Sequence, residues 1–337
     1  MPPSRRAPSI RDVAAHAGVS HQTVSRVLND PSTVREPTRA RVQESIEALG
    51  FRRNMAARSL ATKASMVIGV VTSRNGLFGP TQTSLAITEE SRRRGYWTVG
   101  ITPESDDRKA LSAAHEHLLA LGVDGVIISA WSERSLELAS RFSSRIPTCL
   151  VAEGEVPGGL SRVRSDNHGG ARTAVEYLRA AGRQHVAHLA GPSDWLEADA
   201  RRAGWLAAGG EGAWVESGWH ADGGYHAVDK LFEMDHRIDG IFAANDHVAA
   251  GAIHRLWEKG LRIPEDVAII GFDDIDLAPH FAVPLSSVRQ PFEDVGRVAV
   301  NLLFDVMDGR SSGDYTLATT LVPRDSAGPP PELTPED

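Results

Sequence analysis

The sequence predicts an α/β protein in which a small helix-turn-helix head precedes a body of two doubly wound parallel sheets, and three observations carry that prediction. The first 50 residues hold three short stretches with apolar residues at helical spacing. From Met66 onward the rhythm changes to apolar β-branched runs alternating with amphipathic segments, the pattern of parallel sheets covered by helices on both faces. The charge divides at the same place. Residues 1–65 carry eleven Lys and Arg against five Asp and Glu, which leaves −14 on the rest of a chain whose formal total is −8. A basic head on an acidic body points to a polyanionic partner for the head alone.

With 337 residues, 41% hydrophobic and 24% charged, the chain has an ordinary soluble composition and the length for more than one compact unit. Cys149 is the single cysteine, which rules out an intramolecular disulfide and suits a reducing compartment. The opening "MPPSRRAPSI" has no apolar h-region behind its arginines, and no run approaches the roughly 20 apolar residues of a membrane span. The expectation is a cytoplasmic protein with no membrane partner.

Taken in order, Ser9 caps the first helix, "IRDVAAHAG", whose Ile10, Val13, Ala14 and Ala17 share a stripe before Gly18 stops it. Ser20 caps the second, with Val24, Val27 and Leu28 facing inward. Thr38 is expected to cap the third, "TRARVQESIEALG", with Val42, Ile46 and Leu49 inward and Gly50 at its end. The tight turn "AGVS" makes the first two a helix-turn-helix. "NMAARSLATKAS" follows, Ala-rich and with little to bury. Strands are expected at "MVIGVVT", "WTVGIT", "GVIIS", "PTCLVA", "HVAHLAG", "GIFAAND" and "VAIIGFDD", with helices such as "SLAITEESRRRG" and "DHVAAGAIHRLWEKG" between them. Polar residues at the strand ends point to two lobes and a cleft. The acidic, proline-rich stretch 327–337 reads as a disordered tail.

On the second helix His21, Gln22, Ser25, Arg26 and Asn29 fall opposite the apolar residues. Arginine grips O6 and N7 of guanine with two donors, and glutamine pairs with the edge of adenine. Serine, threonine and asparagine commonly hold phosphates. A solvated face of an unrelated bundle gives the same spacing.

The stretches "IRDVAAHAGVSHQTVSRVLND", "RARVQESIEALGF", "NMAARSL", "AAND", "GFDDIDLAPHFAVPLSSVRQP" and "LVPRDS" resemble the LacI/GalR family of bacterial transcriptional regulators, from about Ser9 to Ser326. The resemblance implies a DNA-binding head over 1–53, a hinge helix over 54–64, and a two-lobed periplasmic-binding-protein-like sensor and dimerisation domain over 65–326. It implies a homodimer on near-palindromic double-stranded operator DNA. Carried over by position, His21, Gln22 and Arg26 read bases, while Ser20, Ser25 and Asn29, helped by Ser9, hold the backbone. In the hinge, Asn54, Ala57 and Arg58 line the minor groove and Leu60 is the apolar wedge. Without the resemblance Leu60 reads as an ordinary contact with the body. A helix this short is marginal alone. The chain departs from the family at His21, where tyrosine or a small residue is common, and at Arg53, where the hinge entry usually has proline. The tail has no leucine heptads for a tetramerising coiled coil, so a dimer is expected.

The resemblance also supplies an effector site. Arg201 in "ARRAGW" matches the arginine that clamps a ligand's hydroxyls or carboxylate. Asn245 and Asp273 stand at predicted strand ends, where they suit neighbouring sugar hydroxyls. Trp219 lies where sugar sensors place a stacking aromatic. Ser73, Phe78 in the "LFGP" loop and Glu153 are further contacts from the first lobe, and Gln290 belongs to a lobe-connecting crossover with an indirect role. Helix caps, a surface ion pair and a core tryptophan are the plain alternatives. A mono- or disaccharide is the expected effector; a purine, no effector at all, or a solute-binding transport protein are the alternatives. No enzyme, cofactor or metal is expected. Adjacent Asp273 and Asp274 point to opposite sides of a strand, and His115 and His117 of "HEH" lie on different helix faces. G-x-S-x-G, P-loop and G-x-G-x-x-G motifs are absent.

Overall fold

The computed structural model describes residues 8–52, 64–73, 76–156, 159–210, 212–310 and 313–329, and for Asn29 the backbone alone. The chain divides into two units, Met1–Ser65 and Met66–Asp337, where the charge and the sequence rhythm change.

The head consists of α1 (Ile10–Ala17), α2 (His21–Asn29) and α3 (Glu36–Leu49). Ser9 and Asp12 form a reciprocal capping box: the Asp12 amide donates to Ser9 Oγ, and the Ser9 amide donates to the Asp12 carboxylate at 2.7 Å. Gly18, at φ 64°, ends α1 in the left-handed conformation that glycine adopts without strain. Val13, Ala14, Ala17, Val24, Val27 and Val42 are buried together, with Leu28, Ile46 and Leu49 packed on them. The third helix begins at Glu36, two residues before the expected cap at Thr38. Pro37 accounts for the shift, because in a first turn its fixed φ is already helical and its missing N–H is not needed.

In the body the described strands are β1 (Val67–Val71), β2 (Trp97–Ile101), β3 (Gly125–Ala130), β4 (Thr148–Ala152), β5 (Ser161–Ser165), β6 (Val186–Ala190), β7 (Trp214–Glu216), β8 (Gly240–Ala243), β9 (Ala268–Asp273), β10 (Ser286–Arg289), β11 (Asp314–Leu317) and β12 (Thr320–Val322). The helices are α4 (Phe78–Arg93), α5 (Arg108–Leu121), α6 (Glu133–Ser143), α7 (Asn167–Ala180), α8 (Leu196–Ala207), α9 (Ala221–Met234), α10 (Asp246–Glu258) and α11 (Phe292–Met307). Two six-stranded sheets result, in the orders β11-β5-β4-β3-β1-β2 and β12-β10-β9-β8-β6-β7. Every pairing is parallel except β10 with β12.

The chain therefore passes between the lobes three times, at 165–167, 289–292 and 317–320. The first and third are bonded to each other: the Asp166 amide donates to the Leu317 carbonyl at 2.8 Å, and the Thr319 hydroxyl donates to the Asp166 carbonyl at 3.2 Å. Buried Val126, Ile128, Leu150 and Phe142 fill one face of the first lobe, and Ile241, Ile269 and Leu256 one face of the second. The expected tail boundary moves. Ala327 is fully buried in the second lobe, and the Gly328 carbonyl accepts from the Tyr177 hydroxyl at 3.2 Å, so the packed body continues past Ser326. Among the described residues no helix is long and apolar enough to cross a membrane.

Gly251 sets the approach of α10 to α9, since a Cβ there would stand 1.8 Å from the Ala221 carbonyl oxygen. Gly251→Ala should separate the two helices and cost about 1–3 kcal/mol or more. The measurement is the urea midpoint, and an unchanged midpoint would contradict this packing.

Candidate DNA-reading helix and interlobe cleft

Helix α2 turns His21, Gln22 and Arg26 to solvent and leaves Ser25 half-buried, on the side away from buried Val24 and Val27. Ser20 is engaged as the cap: its Oγ accepts the Thr23 amide at 3.1 Å and lies 2.9 Å from the Thr23 hydroxyl. Ser9 is similarly engaged by Asp12. Asn29 is the last residue of the helix. The hinge residues Asn54, Ala57, Arg58 and Leu60, with Arg53, lie outside the described residues.

In the body, the C-terminal ends of both sheets open on one cleft of about 690 Å³, part of it open to solvent. The first lobe contributes Phe78, Ser129, Glu153 and Arg164 and the first crossover Asn167; the second lobe contributes Trp195, Glu197, Arg201, Trp219, Asn245 and Asp273. Six of the seven predicted effector residues thus meet. Ser73 does not line the cleft; its hydroxyl is enclosed and has no partner among the described residues. Phe78 is the first residue of α4 rather than part of a loop, and packs edge-on against Phe292 at 5.8 Å.

Arg201 is held from three sides in the cleft. Its Nε donates to Asn167 Oδ1 at 2.9 Å, Nη1 to the Ala244 carbonyl at 2.5 Å, and Nη2 lies 3.6 Å from Asp273 Oδ1. The guanidinium also stands 4.0 Å above the Phe272 ring and 5.4 Å from that of Trp219. Burial lowers its pKa, and the Asp273, Glu197 and Glu153 carboxylates pull it back up. The alternative of a surface ion pair does not hold, because the pair with Asp273 is buried.

Asp273 ends β9 at φ 101°, a conformation rare outside glycine, and accepts from Gln290 Nε2 at 2.7 Å. Burial raises its pKa against the opposing pull of Arg201 and Gln290. Its neighbour Asp274 faces other partners, Arg289 at 2.7 Å and Arg324 at 2.6 Å. The two carboxylates do not share a site. Asn245 is the cap of α10, accepting the Val248 amide at 2.8 Å, and its Nδ2 donates to the Trp219 carbonyl at 3.1 Å. It therefore fixes Trp219 while facing the cleft. Trp219 meets Trp195 edge-on at 5.5 Å, and its indole N–H is enclosed without a partner among the described residues. His115 packs against Phe142 while His117 is exposed, as expected for opposite faces. Among the described residues no group of His, Cys, Asp and Glu is placed to hold a metal.

Residues 9–54 match the sequence family described as bacterial regulatory proteins, lacI family, and residues 175–327 match the periplasmic binding protein-like domain. The lactose operon repressor of Escherichia coli (strain K12) is 31% identical over 322 residues, covering 94% of this chain and 89% of that protein. The chain belongs to the lacI family. As a lacI-family protein it is a DNA-binding transcriptional regulator and not an enzyme. Among solved structures, the lac repressor dimer bound to operator and the anti-inducer ONPF matches with a TM-score of 0.89 and 30% identity, over 96% of this chain and 100% of that one. The transcriptional regulator CelR–cellobiose complex matches with a TM-score of 0.71 and 30% identity, over 95% and 99%.

Asn167, Trp195, Arg164 and Glu197 were not legible as site residues. Asn167 and Arg164 flank or occupy β5, whose "SRVRS" has no apolar run to mark a strand. Glu197 looks like any acid in the first turn of a helix.

Replacing Arg201 by methionine leaves Asp273 buried without its counter-charge and the Ala244 carbonyl and Asn167 Oδ1 without their donor. Arg201→Met should lower the unfolding free energy by about 3–5 kcal/mol. Adding Asp273→Asn should return part of that loss; strictly additive losses in urea unfolding would deny the coupling.

Proposed function

We infer that this regulator is a cytoplasmic homodimeric repressor whose grip on a near-palindromic operator is released when a neutral mono- or disaccharide binds between the lobes. The composition of the cleft supports this reading most directly. Trp219 lines the cleft together with Asn245, Asp273 and Glu153, a combination of aromatic and hydroxyl partners that suits a sugar ring. Arg201 is committed to Asn167, Ala244 and Asp273, so it is a poor clamp for a carboxylate or phosphate. Three carboxylates around it disfavour anionic ligands further.

In the head, His21, Gln22 and Arg26 take the base edges, with Ser20, Ser25, Asn29 and Ser9 on the backbone. Asn54, Ala57, Arg58 and Leu60 complete the grip from the minor groove. Ser20 and Ser9 reach phosphates while serving as caps, since a serine hydroxyl has both a donor and acceptor lone pairs.

Two measurements test this reading. An operator selected from randomised duplexes should bind with an affinity that falls steeply with salt, and Arg26→Ala should cost about 1–3 kcal/mol of discrimination at one base position. An equal loss on all sequences makes Arg26 a phosphate contact instead. In a thermal-shift screen, a saccharide at 100 times its Kd should stabilise the protein by about 2.7 kcal/mol. Asp273→Asn should abolish that shift and leave sugar-free operator affinity nearly unchanged. Stabilisation by purines and not by saccharides would overturn the effector assignment.

A further inference from the structure

Asp246 is fully buried at the start of α10, one residue after the cap Asn245, and does not line the cleft. Both of its carboxylate oxygens are engaged. Oδ1 accepts the Ser287 hydroxyl at 2.6 Å, and Oδ2 accepts the Ile275 amide at 2.8 Å. Ser287 Oγ in turn accepts the Asp274 amide at 3.0 Å. The fold leaves room for this carboxylate, since a Cβ on Gly271, the β9 partner of Ser287, would stand 2.1 Å from Asp246 Oδ1. The two amides held in this way follow Asp273 directly. Asp273 and Asp274 stand at φ 101° and 53°, where a residue other than glycine stays only if its surroundings hold it. Their side chains have partners on either side of the turn, Arg201 and Gln290 for Asp273, Arg289 and Arg324 for Asp274. The amides after the turn are held from behind, by Ser287 and Asp246. Asn245, one residue earlier, holds the Trp219 carbonyl. The first turn of α10 therefore fixes two cleft-lining residues that come from different elements.

We propose that Asp246 is a positioning residue of the sensor: it touches no ligand, but by holding the Ile275 amide directly and the Asp274 amide through Ser287 it aims the Asp273 carboxylate into the cleft and ties that turn to β10, the strand that runs into the second crossover. This inference rests on the reading of the cleft as the effector site. Asparagine is no equivalent at this position. It offers one acceptor and one donor where the cradle presents an amide and a hydroxyl. Either the Ile275 amide then meets a second donor, or the Ser287 proton loses its acceptor. Alanine at Ser287 removes both the donor to Asp246 and the acceptor for the Asp274 amide. Each change frees the turn from behind while every side chain that lines the cleft stays in the sequence.

The test uses the full chain, with cellobiose, lactose, glucose and ribose as probes and Gly251→Ala as a control that loosens α10 away from the turn. Asp246→Asn and Ser287→Ala are titrated calorimetrically, well below their melting midpoints, with whichever sugar binds the native chain. Each should bind about 10–100-fold more weakly, the range known for outer partners that orient ligating groups at metal sites. The double variant should lose little more than the worse single one, because both act on one turn. Gly251→Ala should lose stability and keep its affinity. Amide hydrogen exchange should quicken at Asp274 and Ile275 in both variants and not in the control. Native affinity in Asp246→Asn, or an equal loss in the control, makes Asp246 a stabilising group only, which overturns the inference and leaves the cleft reading standing. If neither variant folds, the native chain decides: sugar should slow exchange of the Asp274 and Ile275 amides more than that of the β2 amides, and an equal effect overturns the inference. If no sugar of the panel binds the native chain, the saccharide reading falls and the exchange comparison decides, with unquickened exchange at the two amides overturning the inference as well.

Discussion

A guanidinium taken out of water has to recover its lost hydration from fixed partners, and Arg201 does so from three parts of the chain at once. Asn167 comes from the first crossover, the Ala244 carbonyl from the end of β8, and Asp273 from the end of β9. None of these partners is free to choose its position. Asn167 is also bonded to Glu153 of the first lobe, and Asp273 is also bonded to Gln290 of the second crossover. The unusual backbone at Asp273 and Asp274, both at positive φ, persists because ion pairs to Arg201 on one side and to Arg289 and Arg324 on the other hold it. The cleft is thus a polar network with few loose members.

The same bonds join the cleft to the segments that connect the lobes. Two of the three crossovers touch cleft-lining residues directly, through Asn167 and Gln290, and the third is tied to the first through Asp166. A ligand shifts the balance between lobe arrangements only by binding one of them better. Side chains from both lobes line the cleft, so a ligand that touches both sides would bind one spacing better than another. Coupling of about 1–3 kcal/mol, the usual range between sites, corresponds to 5–150-fold in affinity.

Most of this architecture was legible in the sequence, for identifiable reasons. All seven apolar runs became strands, six of them because a parallel strand buried on both faces has to be apolar throughout, while β2 is a part-exposed edge strand. Ser9, Gly18, Ser20 and Gly50 marked helix ends because caps have strict local chemistry. β5, β7, β10, β11 and β12 were not read, since each is short and carries polar or charged residues that the neighbouring strands and crossovers satisfy. The site divides in the same way. Arg201, Trp219, Asn245 and Asp273 were found through their motifs, whereas Asn167 and Glu197 acquire meaning only from the side chains that folding brings beside them. Ser73 shows the opposite error: standing after a strand does not settle whether a side chain faces the cleft.

Charge explains why an acidic chain carries a DNA-reading helix at all. With −14 on the body, a polyanion is repelled from most of the chain and attracted only to the head, where Arg26 and its neighbours are exposed. Non-specific adhesion along the body is thereby suppressed, which matters because genomic DNA offers a vast excess of competing sites. The cleft uses the same sign of charge at short range, where Glu153, Glu197 and Asp273 outnumber the two arginines beside them. On the proposed reading, a neutral ligand with hydroxyl donors would meet acceptors there and a phosphate would meet repulsion. On that reading one charge pattern serves two selections, keeping nucleic acid at the head and disfavouring anionic ligands in the cleft.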